Sequence, residues 1–165
     1  MITTDKYVLF WGEEDIYSNF YPAQFDMEGH HFYWSEQSYM WLKAISFSDT
    51  ETANDILKMC NVNNTPIQCK KLGRQVKNFD PEVWKLKCIP AMYLAVQHKF
   101  AQNSWLSKQL LDTENKVLVE ASPYDKIWGI GLAEGDPEAQ DESKWKGTNL
   151  LGKVLMDVRK ELRTI

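Results

Sequence analysis

The sequence predicts an α+β fold, mainly helical, with a small antiparallel β element near the N-terminus. Three observations support this. Strand-like runs are confined to the first third of the chain and to one later stretch, Lys116–Ala121. Six segments with helix starts or helical apolar spacing fill most of the rest. Strands and helices do not alternate in the regular order of a doubly wound sheet. The length of 165 residues suits one compact domain, 1–165, with no repeat, low-complexity tract or long linker to divide it.

The elements follow in order. Tyr7–Trp11 is a short aromatic and β-branched run. Gln24–Met27 and His31–Tyr33 flank Glu28-Gly29, a hairpin turn that leaves His30 and His31 on the surface. Ser35 followed by Glu36 and Gln37 reads as a helix start, and that helix runs to about Phe47. Asp49 or Thr50 caps a second helix, ending near Cys60. Pro66 suits the first position of a third, which Gly73 ends or interrupts. Asp80 as cap and Pro81 as first residue open a fourth, running towards Phe100, and Pro90 inside it predicts a kink or break. A fifth covers Trp105–Leu111, and Lys116–Ala121 alternates as a strand. Glu134–Lys146 is acidic and polar, a surface loop. The last helix begins near Thr148 and reaches Arg163 with Leu151, Leu155, Val158 and Leu162 as its apolar stripe.

Composition narrows the function classes. Aromatic residues make up 13% of the chain, enough to fill a core and still supply stacking platforms for planar ligands. The net charge of −4 argues against a broad basic face for nucleic acid, while leaving room for a small basic pocket. MITTDKYVLFWGEED has no charged-then-apolar signal pattern, and no run reaches the length of a membrane span. Cys60, Cys69 and Cys88 form no CxxC spacing, which fits reduced thiols in the cytoplasm. Neither HExxH nor a Cys/His zinc pattern occurs, so no metal is expected.

Four stretches can carry chemistry. WSEQSYMWLKAISF, Trp34–Phe47, is apolar on several sides yet places Glu36 and Lys43 two turns apart on one face, about 10.5 Å along the axis. Burial raises a carboxylate's pKa and lowers an amine's, which suits a general acid or base and a nucleophile; an exposed stripe or a structural ion pair accounts for the spacing equally well. SPYDKIWGIG, Ser122–Gly131, sets Asp125 three residues from Trp128 in a Pro- and Gly-bounded loop, where Trp128 serves either a ligand or the core. CKKLGRQVK concentrates Lys70, Lys71, Arg74 and Lys77, either a solvated helix face or a phosphate site with Arg74 as the bidentate donor. In GTNLLGKVLMDVRKEL, Thr148 or Asn149 can cap the last helix. A capped packing helix is the simpler reading there than an anion site at its N-terminus.

Together with SNFYP (Ser18–Pro22) and KFAQN (Lys99–Asn103), these stretches come in an order that resembles the NADAR (YbiA-like) family of N-glycosidases along essentially the whole chain. The resemblance implies a single NADAR-like domain that hydrolyses the bond between ribose C1 and a nitrogen, without metal or organic cofactor. Substrates of the family include phosphoribosylamino-pyrimidine intermediates of riboflavin synthesis and, in some members, ADP-ribose on guanine bases. The expected partner is therefore a nucleotide or ADP-ribosyl small molecule, with contact to modified DNA a further possibility through Lys70–Lys77, in a cytoplasmic protein that needs no membrane.

By position, Glu36 and Lys43 match the acidic residue and final lysine of the family's "EHYYQAQK" helix, and Asp125 and Trp128 match "SPxDxxWG". Arg74 matches the arginine of "LGR", Asn149 the asparagine of "GxNxLG", and Trp84 a tryptophan in the family's "DW" segment. Glu36, Lys43 and Asp125 are then the catalytic set, and Trp84, Trp128, Arg74, Lys70, Asn149 and Asn19 the substrate-binding set. Glu36 or Asp125 is the general acid, and the other a base or electrostatic partner. Two roles stand open to Lys43: orienting Glu36, or attacking C1 of the opened sugar as a Schiff-base nucleophile. A non-catalytic module that binds ADP-ribose or a nucleotide in the same pocket is the alternative.

Overall fold

The computed structural model describes residues 1–165, which divide into two compact units, Met1–Ser18 with Ser104–Ile165, and Asn19–Asn103. The first unit is built on a three-stranded sheet. Its strands are β1 (Ile2–Thr3), β2 (Tyr7–Phe10) and a later strand, β5 (Val117–Glu120), in the order β1-β2-β5. β1 runs antiparallel to β2, but β2 and β5 are parallel, with Tyr7 opposite Val117 and Phe10 opposite Glu120. All four residues of β2 are buried, as expected of a parallel strand covered on both faces. Tyr7, Leu9, Val119, Ala121, Ile130, Leu132 and Ala139 form a core cluster on one side of this pair.

The second unit carries a hairpin and four helices. β3 (Phe25–Met27) and β4 (His30–Phe32) pair antiparallel across Glu28 and Gly29, both at positive φ (52° and 78°). Two successive left-handed residues match the twist of a tight hairpin, and glycine takes that conformation without strain. The helices are α1 (Ser35–Ser46), α2 (Thr50–Leu57), α3 (Pro66–Gly73) and α4 (Pro81–Ala101). α1 is central and packs against α2, α3 and α4. The remaining helices, α5 (Ser104–Asp112) and α6 (Leu150–Leu162), belong to the first unit.

The expected helix starts are present. Asp49 accepts the Thr52 amide at 3.1 Å, and Asp80 accepts those of Glu82 (2.9 Å) and Val83 (3.4 Å). Four local expectations need correction. α4 is not broken at Pro90: that residue is exposed, and so is Leu86, whose carbonyl loses the amide bond that proline cannot make. On that solvated side the carbonyl is open to solvent. The second helix ends at Leu57 rather than near Cys60. Glu134–Lys146 is not wholly a surface loop. It contains two short 3-10 turns, Pro137–Gln140 and Glu142–Lys144, and Ala139 sits fully in the core with Trp145 packed against Tyr7 at 6.4 Å between ring centroids. The last helix begins two residues later than Thr148, for a reason that belongs to the site. No helix is long and apolar enough to cross a membrane.

Candidate active site

The first turn of α1 is unusual for its chemistry. Ser35, Glu36, Gln37 and Ser38 are consecutive polar residues, and all four are buried. Buried polar groups are costly unless hydrogen-bonded, and here each neighbour of Glu36 has a partner. Ser35 Oγ donates to Asn19 Oδ1 (2.8 Å) and Ser38 Oγ to the Ser35 carbonyl (2.9 Å). Gln37 donates through Nε2 to the carbonyls of Ile56 and Met59, both at 2.9 Å, and accepts the Tyr33 amide at Oε1. The residue preceding α1, Trp34, offers no side-chain cap. The Glu36 amide, one of the helix's orphan donors, is taken by the Asn19 carbonyl at 3.2 Å. Glu36, 7% exposed, is thus held in a turn fixed on both sides.

Two turns on, Lys43 is half-buried with Nζ 4.6 Å from the centroid of the Phe79 ring. Burial holds its amine below the usual lysine range, the charge of Glu36 pulls it part of the way back, and the charge of Arg74 adds to the lowering. Arg74 owes its place to α3. That helix opens on Pro66, with the Thr65 amide donating to Gln68 Oε1 (2.8 Å), and closes at Gly73, where a methyl group would overlap the Met40 sulfur. The absent side chain lets the end of α3 close on α1, and Arg74 follows directly. Burial pushes the Cys69 thiol, on the same helix, up to about 12, with the Glu36 charge adding to the effect. Lys70 is half-buried with Nζ 5.8 Å from the Phe20 ring centroid.

Trp84 is half-buried and lies 5.5 Å from Tyr39 and 6.2 Å from Phe47, ring centre to ring centre, while Phe47 meets Phe79 edge-on at 5.3 Å. These rings make a continuous wall ending under the Lys43 amine. The second unit therefore brings together Glu36, Lys43, Arg74 and Trp84.

Asp125, Trp128 and Asn149 form a second group, within the first unit. Ser122 Oγ accepts the amides of Tyr124 (3.3 Å) and Asp125 (3.1 Å), and Asp125 Oδ1 accepts those of Ile127 (2.9 Å) and Trp128 (2.8 Å). The loop is clamped to the start of α6. Carbonyls of Lys126, Gly129, Ile127 and Trp128 accept the amides of Thr148, Asn149, Leu150 and Leu151, all between 2.9 and 3.1 Å. Neither Thr148 nor Asn149 caps α6 through its side chain, contrary to expectation. The loop carbonyls do that work, and the start of α6 has those amides already occupied. Asn149, in the left-handed conformation (φ 51°), turns its buried amide onto β5. Its Oδ1 accepts the Glu120 amide (3.0 Å) and its Nδ2 donates to the Leu118 carbonyl (2.9 Å).

One functional candidate escaped the sequence reasoning. Lys99 is 1% exposed, with Nζ 5.1 and 5.6 Å from the Phe100 and Tyr21 ring centroids. Burial brings its amine down to about 7. A signal was available: Met92, Ala95, Val96, Lys99 and Phe100 follow helical core spacing, which puts a lysine on the buried face of α4. No group of three or more His, Cys, Asp or Glu is placed to hold a metal ion.

A buried carboxylate, an amine held below its ordinary range, a guanidinium acting on that amine and an aromatic wall that includes Trp84 lie together around α1, and perturbed ionisable groups of this kind cluster at functional sites. The chain belongs to the NADAR domain family, which matches residues 9–163. It is 41% identical to N-glycosidase R617 of Acanthamoeba polyphaga mimivirus, over 96% of this chain and 97% of that protein. It is 33% identical to the chloroplastic riboflavin biosynthesis protein PYRR of Zea mays, over 92% of this chain but 24% of that longer protein. Among solved structures, the NMR structure of the E. coli protein YbiA matches 99% of this chain and 88% of its own, with a TM-score of 0.76 and 25% identity.

Proposed function

We propose that the protein hydrolyses the bond between C1 of a phosphorylated ribose and an amine nitrogen, with a phosphoribosylamino-pyrimidine as substrate. With N-glycosidase relatives covering nearly its whole length, the chain is a hydrolase acting on N-glycosyl compounds. The choice of substrate is supported by the riboflavin biosynthesis relatives and by the arrangement of cations and rings about α1. The single observation that carries the mechanism is the lowered Lys43 amine on the same helix as the buried Glu36.

In this reading Glu36 is the general acid. Cleavage begins with opening of the ribosylamine to its imine. Lys43 Nζ adds to C1, the C1–nitrogen bond to the base breaks, and the departing amine takes a proton from the Glu36 carboxyl. One water then adds to the lysine Schiff base, releasing the ribose aldehyde and the free amine of Lys43. Arg74 and Lys70 hold the phosphate, and Trp84 stacks on a planar part of the substrate. In the first unit, Asn149 fixes the loop that carries Asp125 and Trp128, with its backbone amide donating to the Gly129 carbonyl. The functional domain is the whole of residues 1–165.

Mass spectrometry of products tests this against riboflavin intermediates, ADP-ribose, NAD and ADP-ribosylated guanine DNA. Free aminopyrimidine is the expected product. Release of guanine alone would replace the substrate, and ligand binding without any product would favour a non-catalytic nucleotide-binding module. Borohydride added during turnover should fix a ribosyl mass on Lys43, and Glu36→Gln should lower kcat by about 100-fold or more. Absence of the adduct with full turnover would leave Lys43 only the role of orienting Glu36.

A further inference from the structure

Asn19 lies in a segment, SNFYP, whose chemistry the reading above leaves unused, and every group on its side chain is already occupied inside the protein. The residue is 8% exposed. Its Oδ1 accepts from Ser35 Oγ at 2.8 Å, its Nδ2 donates to Met92 Sδ at 3.2 Å, and its carbonyl accepts the Glu36 amide at 3.2 Å. The segment that follows lies along α4. Tyr21 packs its ring on Lys99, two helical turns beyond Met92, and Asn103 Nδ2 donates to the Gln24 carbonyl at 3.1 Å. Asn19 therefore touches two elements at once, the first turn of α1 and the buried face of α4.

We infer that Asn19 is a positioning residue for Glu36, and not the direct substrate contact expected from sequence. The inference rests on Glu36 being the reacting carboxylate. The physical argument concerns what a helix start without a side-chain cap allows. Trp34 gives α1 no cap, so its first amides depend on outside acceptors, without which the turn would fray or shift. Asn19 supplies one such acceptor through its carbonyl, next to Ser35, and its side chain holds the adjacent serine hydroxyl. Met92 Sδ in turn fixes the plane of the Asn19 amide, because the NH2 group must point at the sulfur for the oxygen to face Ser35. On the other side of Glu36, Gln37 ties the same turn to the carbonyls of Ile56 and Met59 at the end of α2. Glu36 is thus anchored to α4 through Asn19 and to the α2 end through Gln37, which fixes where its carboxylate can lie. Displacing a reacting group by about 1 Å can cost about 100-fold in rate.

The test uses the full chain with Asn19→Ala, Ser35→Ala and Ser35→Thr. Positioning predicts that Asn19→Ala and Ser35→Ala lower kcat by about 10-fold or more with KM nearly unchanged. Ser35→Thr, which keeps the hydroxyl, should restore most of the rate. A rise in KM at unchanged kcat for Asn19→Ala would make Asn19 a substrate contact and overturn the inference. Amide hydrogen exchange at Glu36, followed by NMR in the absence of substrate, gives a readout independent of the reaction. Alanine keeps the carbonyl of residue 19 but loses the side-chain bonds to Ser35 and Met92 that hold it against α1, so the inference requires faster exchange at Glu36 in Asn19→Ala, while amides in the middle of α4 stay protected. Unchanged exchange would overturn it even in an active enzyme. If the wild-type protein cleaves nothing in the substrate panel, the proposed function fails while the exchange result still decides the role of Asn19.

Discussion

Lys43 shows how one residue's chemistry is set by its neighbours. Its amine is lowered first by burial, raised again by Glu36 and lowered further by Arg74. A nucleophilic amine reacts only as the free base, so the rate should rise with pH along a limb that lies below the ordinary lysine range. Removing the Arg74 charge takes away one lowering influence, and Arg74→Met should therefore move that limb to higher pH. Loss of a phosphate contact should raise KM in the same variant, so the limb must be read from kcat. A limb that moves to lower pH, or not at all, would separate Arg74 from Lys43. The same cluster shows why burial in the first turn of α1 was hard to foresee. The segment Ser35–Ser38 is as polar as an exposed helix start, and only the partners supplied by Asn19, Ile56 and Met59 let it go inside.

At the scale of elements, glycines decide how closely segments approach. A methyl group at Gly73 would overlap the Met40 sulfur, and one at Gly152 would overlap the Leu118 carbonyl and the Asn149 amide. The two obstacles differ in kind. Met40 is a side chain that can be shortened, whereas the Leu118 carbonyl is backbone in a paired strand. Gly73→Ala should destabilise by about 1–3 kcal/mol, and Met40→Ala in the same chain should recover part of that loss. Gly152→Ala should be the more damaging and find no rescue of this kind. Thermal unfolding of the three variants beside the wild type checks both, and equal costs at the two glycines would contradict the distinction. Local signals made many elements legible in sequence: Asp80-Pro81, Pro66 and the Glu28-Gly29 hairpin each announce themselves within a few residues. The parallel pairing of β2 with β5 was not legible, because it joins segments more than a hundred residues apart and no local pattern encodes a partner. For the same reason the sequence showed SPYDKIWG and GTNLLG as separate motifs, whereas the structure makes them one clamp, with loop carbonyls capping the last helix.

Across the whole molecule, three buried groups give stability a specific dependence on pH. Lys99 drops from 10.5 to about 7, chiefly through burial, while burial raises Cys69 from 9.0 to about 12 and Tyr17 from 10.0 to about 12. A proton held by the unfolded chain but not by the native one makes stability rise with pH, by about 1.4 kcal/mol per pH unit for a full proton. Below pH 7 Lys99 is charged in both states, and the native state bears the cost of burying that charge. Between about 7 and 10.5 only the unfolded chain keeps the proton, so stability rises; above that range both forms are neutral and the cost is gone. Cys69 and Tyr17 act in the opposite sense. From about pH 9 for the thiol and about pH 10 for the phenol, the native state holds a proton that the unfolded chain has released, and stability falls. The sum predicts stability climbing above neutrality, level between about pH 9 and about pH 10, and declining beyond. Lys99→Met removes the group responsible for the climb, so its advantage or deficit relative to wild type should shift by a steadily changing amount between pH 7 and 9. Cys69→Ala should leave that climb intact and soften the alkaline decline. Melting temperatures at half-unit pH intervals measure both. Parallel curves for wild type and Lys99→Met across that window would show that Lys99 keeps the same charge in the folded and unfolded chains.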